Sequence, residues 1–156
     1  LPQVETPRGI ATIESWDCAN IEFSVIGFGS ADYGASTGGD MGKASLAYGR
    51  GKIINAAALY NTLALDGVWL DFRDPEGCKE ETLYVKTMGF KGRFAIHPDQ
   101  IKPIHDAYRP TPEELEWAKG VLEEAKTAGS GAFKYQGKMV DAPVLAVARL
   151  IISRED

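Results

Sequence analysis

The chain has 156 residues, 44% hydrophobic and 25% charged, the make-up of a globular protein with apolar mass for one core. A formal net charge of −5 and a pI near 5.1 argue against nucleic acid as a partner, because binding its backbone rests on clustered lysine and arginine. No run of about 18 apolar residues exists and the opening LPQVETPRG lacks a signal pattern, so no membrane partner is expected. The expected compartment is the cytoplasm, or the mitochondrial matrix if a targeting segment is missing.

In chain order, residues 1–6 read as a short extended piece, and Pro7 opens a weakly helical stretch to about residue 19. The run EFSVIGFG at 22–29 is compact, apolar and ended by glycine, as a buried strand would be. Residues 30–42, rich in Gly, Ser, Asp and Thr, read as loop. Helical spacing then holds from about 43 to 65, with Gly49 and Gly51 weakening the first turns. VWLDF at 68–72 reads as the next strand, RDPEG as an acidic turn, and about 78–88 as a helix. Residues 93–96 read as a strand leading into HPDQI, with His105 in a short helical segment beyond. Thr111, Pro112 and Glu114 form an N-cap, an N1 proline and a capping-box glutamate, so a helix runs to about residue 128. An extended piece at 132–135, then GKMVDAP and a helix over 144–153 complete the chain, dividing it at 1–110 and 111–156.

Strands apolar on both faces and alternating with helices predict an α/β fold with a parallel sheet and right-handed crossovers. Four strands are legible, whereas a (β/α)8 barrel needs eight and about 250 residues. Either the sheet is open and small, or half a barrel is represented.

Glu5 and Asp32 both follow predicted strands, and in parallel α/β proteins ligands bind beyond that end of the sheet. Two such carboxylates suit magnesium, which takes one or two and fills its octahedron with water and substrate oxygens. On spacing alone, solvated loop residues or helix caps are the commoner explanation. Around Asp32, the small residues Gly27, Gly29, Ser30 and Ala31 admit a ligand close to the backbone, and the amides of Ala31 and Asp32 are candidate donors to a carboxylate. A turn that simply needs glycine explains them equally. GFGSAD is no dinucleotide fingerprint, since the third glycine is missing and no helix is expected to open there.

The ordered set VETPRG, GFGSADYG, LDFRDPEGCKEE, MGFKGRFAIHPDQI, PTPEELEWA and GKMVDAPV resembles the C-terminal half of the HpcH/HpaI aldolase and citrate lyase β-subunit family. Its style is that of the citrate lyase β-like and malyl-CoA lyase members. The resemblance implies a (β/α)8 TIM barrel entered at about the fifth strand, with Glu5 and Asp32 as ligands of Mg2+. It implies a carbon–carbon lyase that cleaves, or condenses, an organic-acid CoA thioester such as malyl-, citramalyl- or citryl-CoA into an acyl-CoA and an oxo acid. Gly29, Ser30, Ala31 and Asp32 would hold the oxo acid beside the metal. The family's enolate-supporting arginine lies on an early strand and has no counterpart in this sequence.

The tail GKMVDAPV resembles a lid that reaches over a neighbouring subunit's active site, which implies a homo-oligomer of three subunits or a multiple of three. Asp141 would then exchange a proton with the acyl-CoA carbon, whereas its local pattern, an acid before Ala-Pro and a helix, is that of an N-cap. Asp74, Glu76 and Gly77 read as a capped turn, His97 as a histidine pinning the next turn, and Trp16, Trp69 and Trp117 as core or helix-face residues. Cys18 and Cys78 match no metal or redox spacing and read as free thiols. Two rival functions remain: an aldolase of the same superfamily that uses free pyruvate without CoA, and a non-catalytic half barrel serving as a binding or assembly module.

Overall fold

The computed structural model describes residues 1–17, 23–129 and 131–155. Cys18 and the start of the second predicted strand lie outside them. The chain divides into two compact units, Leu1–Tyr108 and Arg109–Asp156.

In the first unit, four strands form a parallel sheet in sequence order: β1 (Gln3–Val4), β2 (Val25–Phe28), β3 (Leu63–Asp66) and β4 (Gly92–Arg93). Helices α1 (Pro7–Thr12), α2 (Ser30–Thr37), α3 (Lys43–Leu59), α4 (Pro75–Met88) and α5 (Ile101–Tyr108) connect and follow them. Strand residues alternate in direction. Val4, Ile26, Phe28 and Ala64 bury themselves in one core with Ile10, Ile13, Leu46, Ile53, Ala56, Ala57, Val85 and Phe90 of the helical side. The alternate residues Gly27 and Phe94 meet elsewhere: a side chain begun on Gly27 would lie 2.7 Å from the Phe94 ring.

Local chemistry sets most helix ends. Thr6 caps α1 by accepting from the Gly9 amide at 3.1 Å, and Pro7 takes the first helical position, where its missing N–H costs nothing. Asp74 does the same for α4, accepting from Gly77 N at 2.9 Å ahead of Pro75. That cap starts the helix three residues before the expected Cys78. The RDPEG turn is therefore its N-terminus.

Three sequence expectations are overturned. Residues 30–42 are loop only from Gly38 onward, because Ser30–Thr37 is helical. Ser and Asp are welcome in a first helical turn, Tyr33 packs on Phe28 with ring centroids 5.4 Å apart, and Gly38 closes the helix at φ 71°. The small polar residues mark helix ends rather than a loop, and the GFG segment does open directly into a helix. Second, the strand expected at 68–72 lies at Leu63–Asp66, and the preceding helix stops at Leu59, so Leu65 belongs to a strand. Asn61, at φ 51°, turns the chain between them. A continuous apolar stretch carries no periodicity to divide helix from strand; the ladder partners Val25↔Leu63 and Leu65↔Gly92 do so. Third, the last strand is Gly92–Arg93 rather than 93–96.

Gly49, expected only to weaken α3, has a packing purpose. A Cβ there would stand 2.7 Å from Phe28 Cζ, so its absence seats the ring against the helix. Gly51 has nothing within 4 Å and makes no such contact.

The second unit comprises α6 (Pro112–Ala128), the antiparallel strands β5 (Phe133–Tyr135) and β6 (Lys138–Val140), and α7 (Ala142–Ile152). Thr111 and Glu114 form the reciprocal capping box, with Glu114 N to Thr111 Oγ1 at 3.1 Å and Thr111 N to Glu114 Oε2 at 2.8 Å. Sequence reading found the first strand but not its partner. The hairpin turns at Gln136 and Gly137, with φ of 46° and 77°, the double positive φ of a tight two-residue turn. Ala118, Val121, Val140 and Ala148 form the unit's own small core. Among the described residues, no helix is long and apolar enough to cross a membrane.

Candidate active site

The ladder partners Val4 and Phe28 place the residues after them side by side at the C-terminal edge of the sheet. Gly29 N donates to Val4 O at 2.8 Å, which draws Glu5 against Gly29. The fit is close: a Cβ on Gly29 would lie 2.3 Å from Glu5 Cβ and 3.0 Å from its Oε2. Only glycine lets the Glu5 carboxylate stand at the start of α2. Gln3 Nε2 approaches that carboxylate at 3.5 Å, too long for a strong bond.

Asp32 is the third residue of α2, exposed, and its carboxylate makes no hydrogen bond or ion pair among the described residues. Gly29 precedes the helix and provides no side-chain cap to the first-turn amides. Ser30, Ala31 and Asp32 thus bring the positive end of the helix dipole and its uncapped N–H groups beside Glu5. The expected set Glu5, Gly29, Ser30, Ala31 and Asp32 forms one patch at two neighbouring strand ends.

Asp141 lies in the second unit. It precedes α7, exposed, and its Oδ1 accepts from Val144 N at 3.3 Å, the local N-cap geometry. His97 behaves as a pinning residue: Nδ1 accepts from Asp99 N at 3.2 Å and the ring stacks on Phe72 with centroids 4.7 Å apart. Cys78 is a buried free thiol, and burial pushes its pKa up.

Sequence reasoning missed a buried ionic network at the ends of the next two strands, β3 and β4. Asp66, wholly buried at the end of β3, accepts from Arg50 Nε at 3.1 Å and Nη2 at 3.0 Å, and from Arg93 Nη2 at 2.6 Å. Arg50 Nη2 also pairs with Glu81 Oε1 at 2.8 Å, and Arg93 Nε donates to Gly67 O at 2.9 Å. Burial alone would lower the Arg50 pKa, but the Asp66 and Glu81 carboxylates outweigh it and hold it above the usual arginine range. One signal was available: Arg50 shares the spacing of Leu46, Gly49 and Ile53 on the buried face of α3. A charge on such a face calls for a buried partner. A cavity of about 480 Å3 lined by Lys43, Arg50, Trp69, Glu81 and Arg93, among others, opens beside this network; Glu5 and Asp32 do not line it.

Two family models match this chain. The HpcH/HpaI aldolase/citrate lyase family matches residues 1–98, and the C–C bond lyase family of the TIM-barrel fold matches residues 51–155. The chain belongs to the HpcH/HpaI aldolase/citrate lyase family. Its four parallel strands with helical crossovers are thus part of a TIM-barrel architecture. Among relatives of this family, the mitochondrial citramalyl-CoA lyase of Rattus norvegicus is 32% identical across 98% of this chain and 49% of its own length. A citrate lyase subunit beta-like protein of Mycobacterium tuberculosis is 37% identical across 97% of this chain and 57% of its own. The crystal structure of CitE from Mycobacterium tuberculosis in complex with magnesium, acetoacetate and coenzyme A superposes with a TM-score of 0.83 and 34% identity, covering 98% of this chain and 59% of that one. The chain spans about half the length of the relatives it matches.

Proposed function

We propose that this chain provides the metal-binding half of a magnesium-dependent carbon–carbon lyase acting on an organic-acid CoA thioester. The observation that carries the reading is the contact of Glu5 with Gly29 at the uncapped N-terminus of α2, whose first turn bears Asp32. The donor set fits magnesium. Among the described residues no group of three or more His, Cys, Asp or Glu could form an all-protein cage, whereas magnesium needs only one or two carboxylates and leaves positions for substrate oxygens. The relatives named citramalyl-CoA lyase and the CitE complex with magnesium and coenzyme A support the same chemistry.

In this reading Glu5 and Asp32 hold the cation, and the amides of Ala31 and Asp32 hold the carboxylate of the oxo acid through the α2 dipole. Bound magnesium supplies Lewis-acid polarisation of the oxygen on the carbon whose bond is cleaved or formed. Asp141 exchanges a proton with the acyl-CoA carbon, reaching the site of a neighbouring subunit in a trimer or a multiple of three. The cytoplasm, or the mitochondrial matrix, is the compartment we propose.

The test is metal binding followed by turnover. Titration of the chain with Mn2+, read by electron paramagnetic resonance, should show one site per chain that Mg2+ competes for and that both Glu5→Gln and Asp32→Ala remove. In a full-length protein carrying these residues, Asp32→Ala should abolish magnesium-dependent cleavage of malyl-, citramalyl- and citryl-CoA. Unaltered metal dependence in that variant would take Asp32 out of the site.

A further inference from the structure

Resting on the metal reading above, we infer that Gly67 and Arg93 are positioning residues that seat the N-terminus of α2 from the side opposite Glu5. Gly67 follows Asp66 at the end of β3, level with the start of α2 on the neighbouring strand. A Cβ on Gly67 would stand 1.9 Å from Ser30 Oγ, 2.5 Å from Ser30 Cβ and 3.0 Å from Ser30 N. No other residue type fits there without moving the first turn of α2. Gly67 is not among the glycines with positive φ, so contact rather than backbone conformation demands glycine.

Gly67 is itself held. Its carbonyl accepts from Arg93 Nε at 2.9 Å, while Arg93 Nη2 is fixed on Asp66 at 2.6 Å and Nη1 reaches Thr82 Oγ1 at 3.3 Å. Arg50 grips the other side of Asp66. Four successive strand ends are thereby linked by three contacts: Glu5 against Gly29, Ser30 against Gly67, and Gly67 tied to Arg93. The α2 N-terminus sits in a slot with one wall at Glu5 and the other at Gly67. Asp32 lies two residues beyond Ser30, so the slot sets where its carboxylate stands relative to that of Glu5. The ionic network reaches the start of α2 through Gly67, whose carbonyl Arg93 holds.

Because the two walls act separately, steric exchange across the slot is the discriminating experiment. Gly67→Ala should weaken Mn2+ binding, read by electron paramagnetic resonance, by about tenfold or more, because displacement of a ligand by an ångström is costly at a preorganised site. Ser30→Gly in the same chain removes the Oγ and Cβ that the new methyl meets and leaves the amide in place, so the pair should return Mn2+ affinity toward the parent value. A merely structural role would lower the melting temperature of both variants without this loss and recovery. Parent-like Mn2+ binding by Gly67→Ala overturns the inference, and so does a loss that Ser30→Gly leaves unrepaired. Should Gly67→Ala not fold, the double variant decides: folded with parent-like affinity it supports the slot, folded without it the slot is refuted. A parent chain that binds no Mn2+ sinks the metal reading instead. The slot is then read from the Ala31 and Asp32 amide chemical shifts, which Gly67→Ala must move and Ser30→Gly must return.

Discussion

Arg93 and Asp66 are ladder partners on adjacent strands, and their side chains meet in the helical layer at 2.6 Å with both groups buried. The Asp66 carboxylate serves two guanidinium groups at once, so it is the charge on which the network depends. Asp66→Asn removes that charge while Arg50 keeps Glu81 and Arg93 keeps only neutral acceptors. Breaking a buried pair from one side costs about 3–5 kcal/mol. The expected outcome is a lower urea midpoint with an unchanged m-value, and a similar midpoint for parent and Asp66→Asn would contradict it.

Gly49 and Gly51 sit in the same helix and should respond to alanine with opposite signs. At Gly51 nothing lies within 4 Å, so Gly51→Ala should stabilise α3 by about 0.5–1 kcal/mol through helix propensity. At Gly49 the added methyl meets the Phe28 ring at 2.7 Å, and overpacking of about 1–3 kcal/mol exceeds the same propensity gain. Thermal melts of the two single variants check the sign of each.

Lys52 and Glu14 form an ion pair, and Asn55 Nδ2 adds a bond to Glu14 at 2.6 Å. The Lys52 hydrogen bond, then that of Asn55, holds the Glu14 carboxyl below its ordinary 4.5, and Glu14 in turn holds Lys52 above 10.5. A carboxylate lowered by folding contributes stability that is present above pH 4.5 and lost as pH falls through the folded pKa. A lysine raised by folding contributes stability that is present below pH 10.5 and lost as pH rises through its folded pKa. Asp40, lowered by its bonds from Ser45 and the Gly42 amide, adds to the acid limb. Urea midpoints should therefore plateau between these limits, and Glu14→Gln should flatten part of the acid limb and of the alkaline limb together. A Glu14→Gln profile parallel to the parent at both ends would refute the pairing.

Gly29→Ala should act on the metal site through Glu5 alone. Gly29 has φ −83°, which alanine accepts, so the penalty is the approach to Glu5: 2.3 Å to its Cβ, 3.0 Å to Oε2 and 3.1 Å to Cα. Calorimetric titration with Mg2+ should show affinity lost in a chain whose circular dichroism is unchanged. Retained affinity would mean that Glu5 does not depend on Gly29 for its place.

Several features were written plainly in the chain. PTPEEL determined the start of α6 because a capping box and an N1 proline act through residues three apart. The N-cap pattern of Asp141 and the pinning role of His97 were legible for the same reason. Strand–helix alternation and acids after strands pointed to a site at one end of a parallel sheet, and the ordered motifs identified the family. Tertiary structure decided where Leu65 and VWLDF belong, because a continuous apolar run takes its strand boundaries from ladder partners elsewhere in the chain. It decided that Ser30–Thr37 is a helix, through Tyr33 on Phe28, and that Arg50, Asp66, Glu81 and Arg93 share one buried cluster. Local rules act over a few neighbouring residues and can be read in order. Burial and charge pairing join residues tens of positions apart, and only the folded chain brings them within reach.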